Sequence, residues 1–178
     1  MMKRIILIFI CVSVLLCGVS CGKSNSVMPD DFSFSIIWNV LGISSYDSKT
    51  GKLVKTKDAT DINKYTTYLN LTEEELNTVY RLLFVDIDIT EYPDTYDPFN
   101  APDDYNEIVS DPYEIIIITA TANGSTKTVT CKPISLGTLD DCYCDESRAF
   151  LTAINNIVDL ITSSPEWEAL PEFEFFYD

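Results

Sequence analysis

From residue 31 onward, apolar and polar positions fall into short alternating runs separated by turn residues, with two longer stretches at helical spacing. Asp31-Phe32-Ser33-Phe34-Ser35-Ile36-Ile37-Trp38 alternates at first, the period-two pattern of a strand half-buried in a sheet. Residues 43–47 and 52–56 flank Ser48-Lys49-Thr50-Gly51, whose glycine supplies a positive φ, and together they read as a hairpin. Tyr65 to Leu69 is a further β-prone run. Asp86-Ile87-Asp88-Ile89-Thr90 alternates again and reads as a short strand or extended connector. Tyr113 to Ala122 contains four consecutive isoleucines, which predicts a strand covered on both faces. Asn123-Gly124 is a hairpin turn, and Ser125 to Cys131 is the returning strand.

The helical stretches carry their own punctuation. Thr72-Glu73-Glu74-Glu75 makes a capping box, with Leu71 and Leu76 as the hydrophobic staple. Leu76, Val79, Tyr80 and Leu83 then form one buried stripe. A second helix spans about Asp145 to Thr162, with Phe150, Leu151, Ile154, Ile157, Val158 and Ile161 on one side, and Ser163-Ser164-Pro165 ends it. The chain closes on Trp167, Leu170 and the aromatic run from Phe173 to Tyr177, an apolar tail that should pack on the domain. Hairpins with two separated amphipathic helices predict an α+β domain, an antiparallel sheet of hairpins with both helices packed on one face. It occupies residues 32–178 as a single unit.

The order of these elements resembles small domains of bacterial lipoproteins and other exported proteins. The stretches that carry the resemblance are LTEEELNTVYRLL, DPYEIIIITATANGSTKTV and FLTAINNIVDLI before a tryptophan. It implies a fold and an address, and it brings no activity with it.

Ahead of the domain, Met1-Met2-Lys3-Arg4 is a basic start and Ile5 through Cys17 an uncharged, mostly apolar run of 13 residues. With Gly18 and Ser20 following, residues 1–20 read as a signal peptide. A spanning helix needs about 20 apolar residues, so an uncleaved anchor is the lesser alternative. Gly18-Val19-Ser20-Cys21 resembles the lipobox of bacterial lipoproteins, in which small residues precede a cysteine that receives a diacylglyceryl group. The resemblance implies lipid on the sulfur of Cys21 and a cut before it, although Gly18 stands where the family usually has leucine. Two or more acyl chains hold a protein stably on a bilayer where one does not. Residues 21–31 would then be a flexible tether, about 17 Å long as a random coil of ten residues. A soluble secreted protein, cut before an unmodified Cys21, is the simpler alternative.

Charge sharpens the picture. All 28 acidic residues lie beyond position 20, against 10 bases there, a net charge of −18 for the mature part. Such a surface repels nucleic-acid phosphates and anionic headgroups, so a membrane partner has to be reached through the covalent lipid. The chain has no histidine, which excludes Ser-His-Asp and Cys-His catalysis and His-ligated zinc.

Two places carry candidate chemistry. Outside the cytoplasm Cys131 can pair with either Cys142 or Cys144, closing a loop of about a dozen residues worth ~3 kcal/mol, with one thiol left over. Free thiols and a redox or metal role are the alternatives, and Asp140, Asp141, Asp145 and Glu146 disfavour a thiolate there while a helix start favours one. The long loop Tyr92 to Pro112 holds Asp94, Asp97, Asp103, Asp104 and Glu107 without a basic residue. Calcium takes such oxygen ligands, but the loop lacks EF-hand spacing, so a solvated acidic loop without a cofactor is the expectation. Its rings Tyr92, Tyr96, Phe99 and Tyr105 could hold a sugar or peptide, or pin the loop by burial. The functional expectation is a membrane-anchored extracytoplasmic domain that binds a protein, peptide or glycan without catalysis. A carboxylate-dependent hydrolase is the competing class.

Overall fold

A computed structural model describes residues 27–39, 44–55, 65–101, 114–134 and 138–172. Seven strands form one sheet: β1 Ser33–Trp38, β2 Ser44–Asp47, β3 Lys52–Lys55, β4 Thr66–Tyr68, β5 Thr95–Tyr96, β6 Glu114–Ala122 and β7 Ser125–Ile134. Their order across the sheet is β4-β3-β2-β1-β6-β7-β5. β1 therefore sits in the interior, with β2 on one side and β6 on the other.

Both expected hairpins form. In the β2–β3 turn Gly51 takes φ +69°, and Asp47 Oδ1 accepts bonds from the N–H and the hydroxyl of Thr50, both at 2.8 Å. In the β6–β7 turn Asn123 and Gly124 both have positive φ, the primed geometry that matches strand twist. The expectation of a wholly antiparallel sheet fails at one edge. β5 runs parallel to β7, registered by Thr95 with Thr130 and Tyr96 with Cys131. It comes from the long acidic loop, so that loop is not structureless throughout.

Helix α1, Glu73–Arg81, begins at the predicted capping box: Thr72 N–H donates to Glu75 Oε2 at 2.7 Å and Glu75 N–H to Thr72 Oγ1 at 3.3 Å. It continues into a π-helical turn, Leu82–Asp86. This overturns the short strand or extended connector expected over residues 86–90. Asp88 adopts φ +47° and accepts from the N–H of Thr90 at 3.3 Å, opening a 3-10 turn at Ile89–Glu91. Ile87 packs on the core and Ile89 is fully buried, so successive tight turns produce the same alternation a strand would.

Helix α2, Asp145–Thr162, has the predicted bounds and is followed by a one-turn helix α3, Pro165–Glu168, capped by Ser164. Both long helices feed one cluster with alternate residues of the sheet. Val79 and Leu83 meet it from α1 and its π turn, and Phe150, Ile154, Ile157 and Ile161 from α2. The strand side chains facing them include Phe34, Ile36, Tyr46, Leu53, Ile118 and Val129. The domain is thus α+β, a mixed seven-strand sheet that shares one core with its helices.

The other face differs from expectation. Ile116 and Ile118 point into the core, whereas Ile115 and Ile117 are only half-buried. Beside them Thr119 bonds Thr128 and Thr121 bonds Thr126, each at 2.9 Å. A bulge opposite Ile115, where β7 passes through Lys132-Pro133, absorbs a proline that has no N–H to give.

Two attachments finish the domain. Asp31 accepts the N–H groups of Asn123 at 2.9 Å and Gly124 at 2.6 Å, latching the chain to the β6–β7 turn just before β1. Those two bonds hold its carboxyl below the usual range. At the far end the buried Lys55 ammonium lies 2.8 Å from Glu172 and 4.7 Å from the centre of the Trp167 ring, which in turn packs on Trp38. The expected tail beyond Glu172, the leader and Cys21 lie outside the described residues.

Candidate functional site

The cysteines and the described half of the acidic loop meet at one pole of the domain, around the start of α2. Cys144 is the N-cap: its sulfur accepts from Ser147 N–H at 3.4 Å and lies 3.1 Å from Ser147 Oγ. Ser147 is fully buried, and its hydroxyl is 2.7 Å from that of Tyr96. The hydrogen bonds from Ser147 hold the Cys144 thiol below its ordinary value. The helix start thus outweighs the surrounding acids there. Cys142 moves the other way through burial, and Cys131, buried on β7 with Asp97 nearby, is pushed up to about 12.

All three are free thiols, so the bond between Cys131 and Cys142 or Cys144 is not formed here. The geometry gives each sulfur a separate occupation. Cys131 is 1% exposed within the core, Cys142 packs against that core from the loop, and Cys144 caps a helix.

The described aromatic rings of the loop are pinned by burial. Tyr92, Tyr96 and Phe150 form a triangle with centroid separations of 5.1, 4.9 and 5.1 Å. Burial raises both tyrosine hydroxyls above their usual range. Phe99 packs on the same core, while Tyr105 lies outside the described residues. The acids are occupied too. Asp94 pairs with Lys127 at 2.7 Å, and Asp97 accepts from the N–H groups of Phe99 and Asn100 at 2.9 and 3.1 Å. Asp103, Asp104 and Glu107 lie outside the described residues. Among the described residues no group of three or more acidic or cysteine side chains could hold a metal ion.

A different place has the shape of a binding site. A groove of about 680 Å³ runs between the β4–α1 connection, the end of α1, and the C-terminal end of α2 with the start of α3. That size falls in the range of small-molecule clefts. Leu69, Leu71, Leu82 and Leu160 line it, buried or half-buried. Glu75, Asp159 and Glu166 stand around them, and no lysine or arginine is among the lining residues. Glu75 is tied to Thr72 by the capping box, whereas Asp159 and Glu166 have no side-chain partner among the described residues. The groove can therefore take an apolar group into its leucines and a cation at its mouth.

Sequence reasoning missed this groove, although a signal was present. Leu82 and Leu160 belong to neither predicted helical stripe, yet each is an apolar residue beside one. These two leftover leucines, on the π turn after α1 and near the end of α2, both line the groove. No protein-family model and no curated protein matches this chain.

Proposed function

We propose that the chain is a membrane-tethered extracytoplasmic lipoprotein whose α+β domain binds a partner and does not catalyse a reaction. The anchor rests on the lipobox-like Gly18-Val19-Ser20-Cys21 behind a basic, then apolar, leader. The observation that carries the binding role is the groove with its acidic mouth, in which four leucines are set among polar residues such as Asn70 and Asn156. Carboxylate hydrolysis needs one carboxyl held protonated near neutral pH beside an ionised partner. The binding reading needs no such pair and rests on the groove itself.

Growing cells with a clickable fatty acid test the anchor. The native protein should take up the label and partition with membranes, and a Cys21→Ser variant should take up none. An unlabelled native protein in the aqueous fraction would sink the anchor and leave a secreted binding domain.

A further inference from the structure

The groove lies far along the sheet from the thiol pole, and its chemistry says what should enter it. Its leucines come from three segments: Leu69 and Leu71 before α1, Leu82 at the start of the π turn, and Leu160 near the end of α2. An aliphatic side chain placed among them loses water-exposed apolar surface on several sides at once. Around the leucines the charge has a single sign. Asp159 and Glu166 approach from α2 and α3, and neither makes an ion pair among the described residues. The whole chain adds to that field, since it carries a net charge of −16.

We propose that this groove receives a basic amphipathic peptide segment, with aliphatic side chains seated on the leucines and lysine or arginine facing Asp159 and Glu166. This rests on the binding role above and names the chemistry of the partner. The complementarity also sets the discrimination. An acidic segment is repelled at the mouth, and a basic segment without aliphatic groups leaves the leucines wet. The steering component weakens with salt, because Asp159 is exposed and Glu166 only half-buried. The apolar component persists.

The full chain, reconstituted in phosphatidylcholine nanodiscs with empty discs as the blank, allows a direct test by calorimetry. Three blocked peptides serve as probes: one of leucine and lysine at helical spacing, its lysine-to-glutamate inverse, and its leucine-to-serine counterpart. The first should bind saturably at one per chain, and the other two should not. Replacing both Asp159→Asn and Glu166→Gln should weaken binding about fivefold, consistent with two ion pairs within reach of solvent. The same loss of charge at Glu91→Gln and Asp140→Asn, away from the groove, should leave affinity within about twofold. Leu160→Gln should abolish binding, with thermal melting to confirm the fold; if that variant unfolds, the carboxylate pair still decides.

Equal binding of the serine peptide, or an equal loss from the distant charge pair, would reduce the effect to general attraction and overturn the proposal. So would absence of binding, or binding only after residues 173–178 are removed, which would assign the groove to the chain's own tail. A dimer broken by the groove variants would assign it to a second copy. None of these results touches the fatty-acid test, so the anchor and the occupant stand or fall separately. Peptide binding that ignores every groove variant would keep the binding role and move it to another surface.

Discussion

Cys144 stands where serine, threonine or aspartate usually caps a helix. Its sulfur does the same job for α2, accepting from Ser147, and in exchange the helix start favours the thiolate. Cys142 and Cys131 lie in opposite surroundings, one raised by partial burial and the other by full burial. Reagents for thiolates should therefore separate the three. Iodoacetamide at neutral pH should modify Cys144 first, Cys142 more slowly and Cys131 only as the domain opens in urea. Peptide mass spectrometry without reductant reads all three sites together. Equal rates at Cys131 and Cys144 in native buffer would contradict the burial described here, and failure of two of the three to alkylate even in urea without reductant would mean that a disulfide forms after all. The residue types and spacing in the sequence identified these cysteines as worth attention. Which one is activated depends on Ser147, whose hydroxyl also meets that of Tyr96, 51 positions away.

At the scale of elements, local signals were most legible where they are self-contained. The capping box of α1 needs only Thr72 and Glu75, and both of its backbone hydrogen bonds are present. Thr72→Ala removes the cap and should cost about 1 kcal/mol, seen as a lower urea midpoint with an unchanged slope. A variant as stable as the parent would show that tertiary packing alone holds the first turn. The bounds of α2 were legible for the same reason, with a polar start and a Ser-Ser-Pro stop. Residues 86–90 misled because alternation reports only which side chains face inward, and two consecutive turns can satisfy it. Neither could the parallel partner of β7 be foreseen. Two residues, Thr95 and Tyr96, carry no periodicity, and their pairing is decided by where the loop returns to the sheet edge. The groove was hidden for a related reason, since it depends on how segments distant in sequence pack beside one another.

For the molecule as a whole, the join between the leading segment and the domain matters most. Asp31 fastens that join to the β6–β7 turn through two backbone N–H groups. A carboxyl lowered by folding contributes stability that is present above the ordinary 3.8 and lost as pH falls through its folded value. Asp31→Asn should therefore lower Tm at pH 7, and the gap from the parent should close on acidification toward pH 2. Differential scanning at several pH values checks this, and a gap that widens in acid would rule out the ionised latch.

The position of β1 has a mechanical consequence. The segment after Asp31 runs straight into an interior strand held by β2 and β6 together. A pull applied at Cys21 would travel along β1 and load the hydrogen bonds of two ladders at once, in shear. An attachment at an edge strand would let the same pull peel one ladder bond by bond. A domain seized by its partner while anchored at the other end would thus resist being torn from the middle outward, and its first failure under load would be the Asp31 latch, with the sheet still closed behind it.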